Sequence, residues 1–169
     1  MNIQKVSTVI LGVDPGIADT GVGVIEVLGG SLTLKHYTSI KTSSKMVLAE
    51  RLVILAQELS QIITLYKPNR AAMEELFFAK NAKTALVVGQ ARGVALLTLC
   101  QHGLAVQEFK PSQVKQAVSA SGNADKRQVQ KMVQLLLHLD KAPQPDDAAD
   151  ALAVAICAAN HPVNFNPYA

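Results

Sequence analysis

The sequence predicts an α/β domain built on a five-stranded mixed sheet. Three observations lead there. Two β-prone segments meet at Gly29-Gly30; beyond them, stretches with helical apolar spacing alternate with short apolar runs; and 49% of the 169 residues are hydrophobic, enough for one domain with a sizeable core.

The elements follow in order. Residues 8–14 are a β-branched, apolar run that stops at the turn signature Asp14-Pro15-Gly16. Segments 21–28 and 31–40 flank Gly29-Gly30, a hairpin turn, so strands 1 to 3 form an antiparallel meander. Leu48, Leu52, Leu55, Leu59 and Ile62 or Ile63 recur at helical spacing and predict an amphipathic helix over 45–65. Pro68 ends it, and 70–74 is a short buried strand. A second helix is predicted over 81–102, where Leu86, Gly89, Gly93 and Leu96 or Leu97 form a small-residue face suited to close packing and to self-association. Residues 105–109 form the next strand. Val129, Met132, Val133 and Leu136 mark a helix after Asp125-Lys126, and the last helix runs over 146–160, with Asp146 or Asp147 after Pro145 as its capping carboxylate. The order is βββαβαβαα, with strands 1, 4 and 5 parallel. Residues 1–160 read as a single domain and 161–169, with Pro162 and Pro167, as a flexible tail.

Composition narrows the function classes. A net charge of +3 and a pI near 8.9 are compatible with a nucleic-acid partner without requiring one. Cys100 and Cys157 lie in apolar stretches without CxxC spacing and read as small buried hydrophobes of a reducing cytosol, with no disulfide. The N-terminal residues have no apolar signal-peptide region, and the longest apolar run, 151–159, is too short to span a bilayer. The expectation is a cytoplasmic protein without a membrane partner.

Four carboxylates then stand out. Asp14 ends the run Val9-Ile10-Leu11-Gly12-Val13, Glu74 ends Ala71-Ala72-Met73, and Asp147 and Asp150 open the stretch that continues Ala151-Leu152-Ala153-Val154-Ala155-Ile156. Charge at the edge of a buried element costs several kcal/mol unless neutralised. No lysine or arginine is adjacent in sequence, so a divalent cation is the natural partner, and hard oxygen ligands suit magnesium. If strands 1 and 4 are neighbours, Asp14 and Glu74 share a sheet edge. Asp147 and Asp150, three apart, share a helix face. Four converging carboxylates can hold two metal ions roughly 4 Å apart, the spacing used for in-line phosphodiester displacement.

Plainer readings exist for each residue. Asp14 can initiate a turn, Asp147 can cap a helix, and Glu74 can be a solvated strand end. Lys115, Lys126, Arg127 and Lys131 can form a solvated helical face, and Phe77 can be core. His36, His102, His138 and His161 fall in no metal-ligand spacing. Gly12, Gly16 and Gly21 read as letting the backbone pass close to metal and DNA.

The motifs themselves are family-like. Val13-Asp14-Pro15-Gly16 with Thr20-Gly21-Val22-Gly23-Val24-Ile25, then Met73-Glu74-Glu75-Leu76-Phe77-Phe78-Ala79-Lys80-Asn81 and Val88-Gly89-Gln90-Ala91-Arg92-Gly93, then Gln113-Val114-Lys115-Gln116, Lys126 with Gln128-Val129-Gln130, and Asp147-Ala148-Ala149-Asp150-Ala151-Leu152 together resemble the RuvC family of bacterial Holliday-junction resolvases. The blocks keep family order across nearly the whole chain. The resemblance implies an RNase H-like fold, a homodimer, and paired symmetric nicks across a four-way DNA junction in recombination and repair, leaving 5′-phosphates. It also implies two Mg2+ per active site, with Mn2+ able to substitute, and partnership with the RuvA–RuvB branch-migration complex. Carried over by position, Asp14, Glu74, Asp147 and Asp150 are the catalytic metal-binding carboxylates. Lys126 assists catalysis and, with Lys115, contacts DNA; Phe77 is an aromatic used against the junction. Two departures are Glu75 after Glu74 and Asp146 before Asp147. Spacing to Phe77 and Asn81 selects Glu74, and spacing to Asp150 selects Asp147. Rival readings are an RNase H-like nuclease acting on RNA or hybrid duplex, an ATP-binding protein of the actin-like fold, and a junction binder without catalysis.

Overall fold

The computed structural model describes residues 7–75 and 82–161. Strands β1 (Thr8–Asp14), β2 (Asp19–Leu28) and β3 (Ser31–Lys41) form the antiparallel meander, turned at Gly29 and Gly30 with φ of 59° and 88°. Helix α1 (Leu48–Tyr66) leads to β4 (Arg70–Glu74), and α2 (Ala82–Gln101) leads to β5 (Val106–Phe109). Both strands join in parallel, giving the sheet order β3-β2-β1-β4-β5. Three helices follow: α3 (Pro111–Ser119), α4 (Lys126–Leu136) and α5 (Asp146–Ala159).

Helix α3 is the departure from the expected order. Its nine residues carry only two buried apolar positions, Val114 and Val118, so periodicity is faint. The start signal is instead Pro111 at the first turn, where a missing N–H costs nothing.

Strand alternation assigns each residue to a face. Leu11, Val13, Val22, Val24, Ala71 and Met73 are buried under α1 and α2, whereas Ile10, Ile25, Ala72 and Phe109 are buried under α3, α4 and α5. Helix α5 is apolar all round, with every residue from Ala151 to Ala158 buried, as a helix between sheet and further helices must be. It lies directly on strand backbone. A Cβ added at Gly12 would strike the Ala151 carbonyl and sit 2.7 Å from the Ala155 nitrogen; at Gly23 it would sit 2.7 Å from the Leu152 nitrogen; at Gly21 it would strike the Asp147 carbonyl. Glycine at 12 and 21 therefore admits the backbone of the helix. At Gly16 the space is taken by the Asp19 carbonyl.

The far end of α5 is tied by Arg70, whose Nη2 donates to the carbonyls of Ala158 at 2.9 Å and His161 at 3.0 Å. His161 also packs its ring on Phe109, 5.0 Å between centroids. Cys157 is buried as expected, but Cys100 is exposed on α2. No helix among the described residues is long and apolar enough to cross a membrane.

Candidate active site

The site is assembled by parity and register. On β1, Asp14 shares the face of Ile10 and Gly12; on β4, Glu74 shares the face of Ala72, while Glu75 falls on the opposite parity. The parallel pairing runs Gly12 to Ala72 and Val13 to Met73, so its next rung sets Asp14 beside Glu74. Both carboxylates thus reach the end of the sheet on the side covered by α5. Asp14 pairs across the other ladder with Gly21, and Gly21 is where the Asp147 backbone rests. One glycine therefore fixes how far the N-terminal turn of α5 stands from Asp14. Asp150, one turn on, comes to the same rim.

Electrostatics record this convergence. Burial, then the charges of Asp150, Glu74 and Asp147, push the Asp14 carboxyl up from 3.8 to about 7 against an opposing pull from Lys126. Burial and the Asp150 charge also raise Glu74, with Lys115 opposing. Asp150 is raised mainly by burial and moderated by Lys126. Asp14 senses the charges of the other three and Glu74 senses Asp150, although no three acidic, histidine or cysteine side chains among the described residues stand at metal-ligating spacing. That is the arrangement expected where like charges face each other and an ammonium occupies one of them.

The ammonium is Lys126. Its Nζ lies 3.2 Å from Asp150 Oδ2 and 3.3 Å from Asp146 Oδ2. Asp125 caps α4, accepting from the Gln128 amide at 2.9 Å in a capping box, and this fixes Lys126 as the first helical residue. One turn later, Gln130 Nε2 donates to Asp146 Oδ1 at 2.8 Å. Asp146 is thus gripped by two residues of α4. Pro145 is the residue that precedes α5, and neither Asp146 nor Asp147 makes a side-chain cap, correcting the expected capping role. Burial works against the Lys126 charge, but the bonds to Asp150 and Asp146 outweigh it, so Lys126 holds its proton more tightly than an ordinary lysine.

A cleft of about 250 Å³ opens beside these groups, with Glu74, Lys115, Lys126 and Asp150 as its polar lining and Val114, Val129 and Val154 among its apolar walls. Two lysines and two carboxylates around one cleft suit a phosphodiester with counter-cations. Lys115 reaches it from the unforeseen α3. The sequence-derived set therefore meets in one place, except Phe77, which lies outside the described residues. Lys126 and Gln130 were not foreseen as partners of Asp146. Their signal was the four-residue spacing of Lys126 and Gln130 on one helix face, whose partner on another helix was invisible.

Comparison with known proteins gives a consistent result. The profile of the family "Crossover junction endodeoxyribonuclease RuvC" matches residues 10–158. Proteins of that description from Roseiflexus sp. and Heliobacterium modesticaldum are 56% and 54% identical, over 89% and 90% of this chain and 90% and 94% of their own. A Thermus thermophilus RuvC solved in complex with a Holliday junction substrate superposes with a TM-score of 0.86 at 37% identity, covering 90% of this chain and 93% of that one. The yeast mitochondrial Holliday junction resolvase Ydc2 shares the fold, with a TM-score of 0.61 at 12% identity over 88% of this chain and 77% of its own. The fold is RNase H-like, as the motif resemblance implied.

Proposed function

The chain belongs to the RuvC family of crossover junction endodeoxyribonucleases, and from that premise we propose that it resolves four-way junctions by paired symmetric nicks, each a divalent-cation-assisted hydrolysis at the Asp14 site. One observation supports the mechanistic part: burial, and then the charges of Asp150, Glu74 and Asp147 gathered from β4 and α5, push Asp14 on β1 to about 7. The ammonium of Lys126, in contact with Asp150, and the charge of Lys115 near Glu74 do not offset four half-buried carboxylates. The donor set is hard oxygen throughout, which fits Mg2+, or Mn2+ in its place, and four carboxylates suffice for two ions.

Asp14, Glu74, Asp147 and Asp150 would hold the ions, whose chemistry is to stabilise charge on phosphate oxygens and to make water a nucleophile near neutral pH. The chain's own contribution is positional. Asp14 and Glu74 are fixed on adjacent parallel strands, and α5 is fixed against Gly21, so the donors sit on strands and a helix and not on loops. Lys126 and Lys115 stand where the scissile phosphate enters the cleft, and their positive charge would hold it and counter the charge that grows on its oxygens during attack. Phe77 keeps the role of stacking on an unpaired junction base on its motif alone.

Two symmetric nicks require two sites related by a two-fold axis, which a C2 homodimer supplies. Helix α2 supports this reading. Leu86, Gln90, Gly93, Leu97 and Cys100 are exposed at alternating four- and three-residue steps, a continuous stripe down one side. A Cβ on Gly93 would meet nothing within 4 Å, leaving room for a second helix to approach. Delivery of junctions by a RuvA–RuvB complex is part of the same proposal and rests on family membership.

The test is direct. Incubated with a synthetic four-way junction and a linear duplex of matching sequence, the protein should cut only the junction, and only with Mg2+ or Mn2+ present. Equal cutting of both substrates, or cutting in excess chelator, would overturn the reading.

A further inference from the structure

Asp146 has no place in the four-carboxylate set, yet it is the most heavily engaged acidic side chain at the rim. One oxygen accepts from Gln130 at 2.8 Å and the other faces Lys126 at 3.3 Å, while Lys126 also reaches Asp150 at 3.2 Å. Gln130 and Lys126 lie one turn apart on α4, so Asp146 is located independently of the ammonium it faces. Lys126 thus bridges an acidic residue that belongs to the proposed metal set and one that does not. We propose that Asp146 is a positioning residue for Lys126, keeping its ammonium at the mouth of the phosphate cleft when Asp150 is engaged by a divalent cation. The proposal rests on the reading of the site as a metal-dependent phosphodiesterase centre.

The physical argument is one of competing partners. A cation at Asp150 repels the ammonium now bound there, and a lysine with no other anchor has four rotatable bonds with which to leave. Asp146 offers a second anchor that the metal does not need. Because Gln130 holds the carboxylate, the ammonium that stays with it remains at the cleft. Lys126 and Asp146 are both about half exposed, at 51% and 52%, so solvent weakens the attraction and the effect is one of occupancy, not of a locked contact.

The distinguishing measurement is the reactivity of Lys126 toward an amine-directed ester, read by peptide mass spectrometry with and without Mg2+. In the unsubstituted protein Mg2+ should change this labelling less than two-fold, because Asp146 retains the ammonium. In Asp146→Asn, labelling should rise about three- to five-fold on adding Mg2+, the range an exposed ion pair supports. In parallel, Asp146→Asn should slow single-turnover junction cleavage by a similar factor at unchanged junction affinity. Asp146→Glu should restore most of it, and in a Lys126→Met background the Asp146 substitution should cost nothing more. An identical Mg2+ response of labelling with and without Asp146, or a loss that persists without Lys126, would overturn the proposal. Failure of the underlying reading would look different: Asp14→Asn would retain Mg2+-dependent cleavage, whatever Lys126 does.

Discussion

At the scale of single residues, Asp14 is held in a state that opposes folding. Its carboxyl titrates near 7 because burial and then three neighbouring carboxylates disfavour its charge. The sign of the consequence follows from linkage. Below pH 3.8 the native and unfolded chains both carry the proton. Between 3.8 and about 7 the unfolded chain releases it while the native site keeps it, so this contribution to stability is lost as pH rises, by up to about 1.4 kcal/mol per pH unit. In metal-free buffer, the unfolding free energy of the unsubstituted protein minus that of Asp14→Asn should therefore fall between pH 4 and 7 and then level off. A flat difference in urea melts across that range would show that the carboxylates do not meet. The same substitution should lower junction cleavage by about 10³-fold, since several kcal/mol of transition-state stabilisation is at stake. Asp14 was readable from sequence because a charge ending an apolar strand is conspicuous. Spacing to Asp150 selects Asp147 over Asp146, and the role of Asp146 is not legible in sequence because its partners, Lys126 and Gln130, lie on a different helix and no local pattern encodes a contact between helices.

Elements show a different balance of what was legible. Long periodic segments such as α1 and α5 and the Gly29-Gly30 hairpin announced themselves, since buried faces demand apolar spacing and tight turns demand positive φ. Helix α3 did not, because nine residues with two buried apolar side chains leave almost no periodic signal, and with it went the placement of Lys115. The glycines were seen, but their purpose needed the third dimension: Gly12, Gly21 and Gly23 are spaces into which the backbone of α5 sinks. Gly21 is the most exacting, lying opposite Asp14 and beneath Asp147. Gly21→Ala should lift the N-terminal turn of α5, lowering stability by about 1–3 kcal/mol as overpacking does. It should also reduce cleavage by the molecules that remain folded, because Asp147 and Asp150 move with the turn. Gly122→Ala is the control, since a Cβ there stays 3.5 Å or more from its neighbours. Urea unfolding and junction cleavage together decide the matter; full activity in Gly21→Ala would mean that helix depth does not set the site.

At the scale of the whole molecule, the paired nicks proposed above would need two sites, so the α2 stripe has a testable consequence. A stable two-fold contact usually buries about 1,200–2,000 Å² in total. A 20-residue helix is about 30 Å long, so α2 meeting its copy would supply the centre of such a contact, with Leu86 and Leu97 as apolar anchors on either side of Gly93. Both leucines are now well exposed, at 67% and 56%, and burying each against a partner would contribute about 1.5–3 kcal/mol. Replacing both with glutamate removes that gain and places like charges across the axis. The unsubstituted chain should therefore sediment as a dimer and the double variant, at the same concentration, as a monomer. The carboxylate site lies on the other face of the sheet and should stay intact in that monomer. A plasmid bearing an extruded cruciform then separates the outcomes: paired nicks in one encounter linearise it, whereas independent nicks leave relaxed circles. Linear product from the unsubstituted protein and relaxed circles from the double variant are the expected pair. A monomeric variant that still linearised the plasmid would place the coordination of the two cuts somewhere other than the dimer.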